Sequence, residues 1–225
     1  GIEVGVVLMK LDSKERLIRY LNSTRLLTEI EKKIPLASQT FSKSRTQYPP
    51  KISPLFLTHA LGCRTWDVDG NEYVDLVSSL AAITLGYGNQ DVNQAVRKQL
   101  ELGVLLSLPT VLEYEVAQLI SELVPSAEKV RFAKTGSDAT AGAIRLARAF
   151  TNREHVLLGG YHGWQDWSIG STSMHMGVPE FVQRLSHPFV MNDIDAFETL
   201  LSKLNTDIAA VILEPISYIS PTIEF

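Results

Sequence analysis

Two short apolar runs constrain the fold of this chain more than anything else in it: His155-Val156-Leu157-Leu158 and Ile208-Ala209-Ala210-Val211-Ile212-Leu213. Each reads as a strand, and the second, apolar throughout, as a buried one. Helical stretches lie between and ahead of them. Asp91 is expected to cap a helix, with Gln94 three residues on, Val92, Ala95, Val96 and Leu100 as its apolar face, and Gly103 as its stop. Thr110 with Glu113 opens another helix, which Pro125 ends. Lys129-Val130-Arg131-Phe132-Ala133 predicts a further strand, followed by a helix from about Ser137 to Phe150. A helix near Ile194 to Leu204 leads into the last strand. Strands alternating with helices predict an α/β domain, its mostly parallel sheet covered by helices on both faces.

The first part of the chain has another character. Asp12 to Lys33 suits one broken amphipathic helix or two short ones, and Leu36 to Lys51, with prolines close by, reads as an extended loop. Arg64 to Val68 and Glu72 to Val77 predict a hairpin around Asp69-Gly70-Asn71, where glycine supplies the positive φ of the turn. Asp67, Asp69 and Asn71 mimic the start of a calcium loop. Such a loop needs glycine at its sixth position, and Gly70 falls too early, so the turn reading prevails. The expected division is an N-terminal segment over residues 1–84 and the first part of a large α/β domain over residues 85–225.

Composition excludes several classes. Across 225 residues, 21 Lys+Arg stand against 25 Asp+Glu, a net charge of −4 that does not suit a nucleic-acid binder. No apolar run approaches the length of a membrane span, and one cysteine, Cys63, cannot form an internal disulfide. The expectation is a cytoplasmic chain. Its five histidines show no zinc spacing, no metal site is expected, and no Walker loop or nucleophile elbow occurs.

Three places can carry chemistry. In Phe132-Ala133-Lys134-Thr135-Gly136-Ser137-Asp138-Ala139-Thr140 a strand turns through a glycine into a helix, whose free N–H groups and dipole suit an anion. Thr135 and Ser137 can add hydroxyl donors; the competing reading is that Ser137 or Asp138 merely caps the helix. Gly159-Gly160-Tyr161-His162-Gly163-Trp164 follows a strand, at the sheet edge where ligands of parallel sheets collect, and the Tyr161 ring could stack on a planar heteroaromatic. Glu214-Pro215 ends the last strand, and its carboxylate could hold a hydroxyl or amine, or face solvent. Gly86-Tyr87-Gly88-Asn89-Gln90-Asp91 is a dinucleotide fingerprint with Asp91 in place of the third glycine.

Taken in order, Trp66-Asp67-Val68-Asp69-Gly70-Asn71-Glu72-Tyr73-Val74-Asp75, Leu85-Gly86-Tyr87, Val130-Arg131-Phe132 with Thr135-Gly136-Ser137-Asp138-Ala139, Ile144-Arg145-Leu146-Ala147-Arg148, Tyr161-His162-Gly163 and Ala210-Val211-Ile212-Leu213-Glu214-Pro215 resemble the class III aminotransferases. These are pyridoxal-phosphate enzymes of fold type I, and the resemblance is nearest the glutamate-1-semialdehyde 2,1-aminomutase-like branch. It implies that Thr135, Gly136 and Ser137 hold the cofactor phosphate, that Tyr161 stacks on the ring with His162 beside it, and that Glu214 sits near the phenolic oxygen. Ser79 and Trp164 fall near positions bordering the substrate pocket. It further implies a small-molecule amino donor, a carbonyl acceptor and a homodimer.

The family's Schiff-base lysine lies downstream of the Glu-Pro motif, and all ten lysines here precede Glu214, so no catalytic residue is assigned within this chain. The chain is expected to be part of a longer polypeptide whose large domain is here incomplete, because a sheet without its covering helix would leave a face open to water. Two departures touch the substrate pocket. Ser78-Ser79-Leu80-Ala81-Ala82 replaces a Ser-Trp-Gly segment, and Ile216 to Pro221 lacks the usual glycines. Aminomutase and intermolecular aminotransferase therefore both stay open. The rivals are a non-catalytic phosphate-ligand-binding protein of the same fold and a nucleotide-dependent oxidoreductase using Gly86 to Asp91.

Overall fold

A computed structural model describes residues 18–216 and 220–222. The start of the expected N-terminal helix and part of the segment after Glu214-Pro215 lie outside these. The chain divides into two compact units, Gly1–Pro109 and Thr110–Phe225; the division falls later than the boundary at residue 84 drawn from sequence.

In the first unit, helix α1 (Leu21–Ile30) precedes an antiparallel sheet of β1 (Leu57–Leu61), β2 (Arg64–Asp67) and β3 (Glu72–Val74), in that order. The hairpin β2–β3 matches expectation, whereas β1 had carried no strand signal. Asp67, buried, holds the turn: its carboxylate accepts from the N–H groups of Asp69 (2.9 Å) and Asn71 (2.8 Å), the Asn71 amide (2.9 Å) and the Tyr73 hydroxyl (2.8 Å). The Tyr73 phenol is pushed far above its ordinary value, first by burial and then by hydrogen bonding with Tyr20 and Asp67. Asp69 reaches back to α1, accepting from the N–H groups of Asn22 (2.6 Å) and Ser23 (3.0 Å), so the hairpin tip caps the helix. Both carboxylates thus serve N–H and O–H donors, as the turn reading requires.

After β3 the backbone makes an unforeseen left-handed turn. Ser78, Ser79, Leu80 and Ala81 all have φ between 50° and 63°, each costing on the order of 1–2 kcal/mol. Asp75 anchors it, accepting from the N–H groups of Val77 (2.8 Å) and Ser78 (3.1 Å) and from the Tyr87 hydroxyl (2.6 Å). The Tyr87 bond holds the Asp75 carboxyl below the usual carboxylate range. Gly86, at φ 83°, lies against the Gly62 backbone, and residues 62 and 87 bridge there. This glycine pair therefore serves a backbone crossing rather than following a strand. Helix α2 (Gln90–Leu102) is capped by Asn89, which accepts from the Val92 N–H at 3.1 Å; Asp91, the expected cap, sits in the first turn instead.

The second unit starts with α3 (Val111–Leu123), opened by the expected Thr110/Glu113 capping box. Residues 129–133, predicted as a strand, have no strand partner among the described residues, and without a ladder an apolar segment is not a strand. Helix α4 (Gly136–Thr151) then leads to β4 (His155–Gly159). Two short helices follow, α5 (Asp166–Ile169) and α6 (Glu180–Gln183), then β5 (Ser186–Pro188), α7 (Ile194–Leu204) and β6 (Ile208–Leu213). The sheet is parallel in the order β5-β4-β6. One face buries Val156 and Leu158 against Ile144 of α4 and Trp167 of α5, with Ala210 and Ile212 alongside. On the other face Leu157 is fully buried, while Val211 and Leu213 stay 42% and 39% exposed. Coverage on both faces therefore holds at β4 and is partial at β6. Among the described residues no helix is long and apolar enough to cross a membrane.

Candidate functional site

The carboxyl ends of β4 and β6 and the amino end of α4 come together in the second unit. Thr135 is the helix cap: its hydroxyl accepts from the Asp138 N–H (3.2 Å), while its own N–H (3.1 Å) and hydroxyl (2.8 Å) both lie on Asp138 Oδ2. Neither Ser137 nor Asp138 is the cap. With that box closed, the N–H groups of Gly136 and Ser137 have no acceptor among the described residues, as expected for a first helical turn. A Cβ on Gly136 would meet nothing within 4 Å, so the space beside that residue is open. The arrangement can hold a dianion by hydrogen bonding and by the helix dipole.

The second loop is set by β4. Gly160, at φ 99°, lies so close to Glu214 that a Cβ there would come within 3.0 Å of its carboxylate. The Glu214 N–H in turn donates to the Gly159 carbonyl at 3.0 Å, which fixes the half-buried carboxylate beside the loop. His162 is buried, and its Nε2–H donates to the same carbonyl at 3.0 Å, which defines the ring's protonated nitrogen. Between them Tyr161 presents a ring 65% exposed, free to cover a planar ligand.

Loop and turn interlock. The Trp164 N–H donates to Ser137 Oγ at 3.4 Å, the Gln165 amide donates to Asp138 Oδ1 at 3.0 Å, and the Thr140 hydroxyl donates to the His162 carbonyl at 2.7 Å. Gly163, at φ 119°, has no room for a side chain because a Cβ would fall 2.5 Å from Ser137 Oγ. Thr135, Gly136, Ser137, Tyr161, His162 and Glu214 are thus brought to one end of one sheet. From the sequence Asp138 had only a capping reading, and Thr140 and Gln165 had no role, because a mid-helix threonine or a loop glutamine carries no signal of a partner more than 20 residues away.

Of the two weaker assignments, only Trp164 belongs to the second unit, next to Gly163 in the interlock. Trp164 lines a cleft of about 630 Å³ with Arg145, Arg148 and Trp167, alongside α4. Burial lowers the Arg148 guanidinium from its ordinary value. Ser79 belongs to the first unit, on the left-handed turn, where Lys43 Nζ donates to its hydroxyl at 3.3 Å. At the opposite, amino edge of the parallel sheet, His155 Nδ1 and His187 Nε2 lie 2.8 Å apart, with Asp207 Oδ2 3.5 Å from His155 Nε2. Sequence spacing gave no hint of that cluster.

The model of the family Aminotransferase class-III matches residues 46–218. The chain belongs to the class III aminotransferases. It is 40% identical over 176 residues to the glutamate-1-semialdehyde 2,1-aminomutase of Syntrophomonas wolfei and 38% identical over 175 residues to that of Aquifex aeolicus, in each case over 73% of this chain and 41% of the relative. The chain therefore spans about two-fifths of the length of these curated relatives. An omega-transaminase from Sphaerobacter thermophilus superposes with a TM-score of 0.75 at 29% identity, over 85% of this chain and 46% of that one. A transaminase with PLP bound superposes at 0.82 and 23% identity, over 91% and 50%, a likeness of fold alone. This class III chain has the α/β architecture of fold type I, with the interlocked turn and loop at the carboxyl edge of its sheet.

Proposed function

We propose that the full-length protein is a pyridoxal-phosphate-dependent aminotransferase or aminomutase acting on a small amino-acid, amine or sugar-like carbonyl substrate. The observation that carries this reading is the interlock of the α4 turn with the Tyr161 loop, which sets anion donors and an exposed aromatic ring side by side. The residues present fit the cofactor. The Gly136 and Ser137 amides and the Ser137 hydroxyl would hold its phosphate, Thr135 keeps the turn closed, Tyr161 would cover its ring, and Glu214 would sit near its phenolic oxygen. His162, bonded to the Gly159 carbonyl, keeps the loop in place. When bound, pyridoxal phosphate supplies an electron sink for charge at the amine-bearing carbon.

Ser79 and Trp164 are proposed as pocket-bordering residues, with an amino donor and a carbonyl acceptor as partners. A homodimer in the cytoplasm belongs to the same proposal. The exposed, unpaired Cys63 and the apolar residues presented by α3, such as Val111 and Leu119 at 70% and 53% exposure, support it. Purified full-length protein should carry a visible cofactor band that borohydride converts to a covalent label on one lysine. A colourless protein that takes up no pyridoxal phosphate and stays unlabelled refutes the proposal. Conversion of an amino-aldehyde without any second substrate would mark an aminomutase; a strict need for a separate acceptor would mark an aminotransferase.

A further inference from the structure

Thr140 stands one turn beyond Gly136 on α4, yet its hydroxyl does not do what helical threonines here do. Thr151 and Thr199 return theirs to the carbonyls four residues back, Ala147 and Asp195, at 2.7 and 2.8 Å. Thr140 has one hydroxyl hydrogen and two carbonyls near it: Ser137 of its own helix at 3.1 Å and His162 of the neighbouring loop at 2.7 Å. The shorter contact leaves the helix.

The carbonyl it holds belongs to the peptide that runs into Gly163, whose Cα lies against Ser137. One residue later the Trp164 N–H points at Ser137 Oγ. Because the Ser137 oxygen accepts that N–H, its own hydrogen stays available to donate to another group. The other end of the same short segment is tied by the His162 imidazole to the Gly159 carbonyl. Residue 162 is therefore fixed at its carbonyl by Thr140 and at its side chain by β4, and Tyr161 lies between it and Gly160.

We infer that Thr140 is a positioning residue: without touching the cofactor, its hydroxyl sets both the direction of the Ser137 hydroxyl and the placement of the Tyr161 ring. The inference rests on the cofactor reading above, and one arm of its test does not. In full-length protein, Thr140→Val removes the donor at nearly constant shape, and Thr140→Ser keeps it. Losing one such hydrogen bond should raise the dissociation constant for pyridoxal phosphate about tenfold in Thr140→Val. The visible circular dichroism per bound cofactor should fall with it, while Thr140→Ser stays near wild type in both.

In apo protein, hydrogen exchange at the Trp164 amide should be protected in wild type and Thr140→Ser and lose that protection in Thr140→Val. Unchanged exchange in Thr140→Val overturns the inference whatever the affinity does, as does an equal loss of affinity in Thr140→Ser. A wild type that fails to bind pyridoxal phosphate sinks the proposed function, and the exchange arm still decides the role of Thr140 in locking the loop. Should Thr140→Val prove too unstable to purify, Thr140→Ala takes its place in the same comparisons.

Discussion

Replacing Gly163 by alanine probes the contact between loop and turn directly. A Cβ at that position would lie 2.5 Å from Ser137 Oγ and 2.9 Å from Ser137 Cα and Cβ, and its φ of 119° is one that L-residues rarely adopt. Gly177 provides the control, since it has φ 89° but nothing within 4 Å of its would-be Cβ. Both alanine variants incur backbone strain on the order of 1–3 kcal/mol. Only Gly163→Ala adds overpacking, about 1–3 kcal/mol more, because two of the three atoms it would meet, Ser137 Cα and Cβ, cannot swing away. Each kcal/mol moves the melting temperature by about 2–4 °C for 150–250 residues and by less in a longer chain, so Gly163→Ala should melt below Gly177→Ala. If Ser137 yields to relieve the contact, the phosphate donor moves with it, and the dissociation constant for pyridoxal phosphate should rise at least about tenfold. Thermal melts of apo full-length protein and titration of the visible cofactor band measure the two effects. Equal melting temperatures and equal cofactor affinities in the two variants would refute the packing argument.

Tyr161→Ala should weaken cofactor binding by up to about tenfold, the worth of an aromatic stack, and Tyr161→Phe by much less; neither should change the apo melt, because the ring is mostly exposed. Asp67→Ala leaves four donors without their acceptor in a buried turn, and denaturant unfolding should show a loss of about 3 kcal/mol or more. The His187 ring is held below the ordinary histidine value of 6.5, first by burial, then by His155 and Lys203. Its contribution to stability is therefore complete above pH 6.5. It declines as the pH falls below that value toward the lowered folded-state value, because there the unfolded chain binds the proton more readily. His187→Gln should flatten the dependence of apo stability between pH 7.5 and 5.5. A wild-type slope identical to that of the variant would exclude His187 as its source.

Features decided within a few residues were legible in the sequence. The boundaries Ile194–Leu204 and Ile208–Leu213 came out as read, as did the Thr110/Glu113 box and the hairpin turn at Gly70. Where two caps lay within reach, at Asn89 and Asp91 or at Thr135 and Asp138, the pattern marked the helix start but not which side chain closed it. Strand β5, three residues ending in Pro188, has almost no local preference and exists because β4 lies beside it. The segment over residues 129–133 has the preference but no strand neighbour among the described residues.

For the site, the sequence by itself determined which groups are present: a glycine before a helix, small hydroxyl residues, an aromatic loop and a carboxylate at a strand end, all fixed by local propensity and by the periodicity of strand and helix. Only the tertiary structure decided their use. Parallel pairing of β4 with β6 is what lays Glu214 against Gly160, and the packing of α4 on that sheet is what lets Thr140 reach His162 and excludes any side chain at Gly163. Such contacts join residues more than 20 positions apart and depend on which strands become neighbours, a choice settled by burial of Val156, Leu157 and Leu158 rather than by any residue at the site itself.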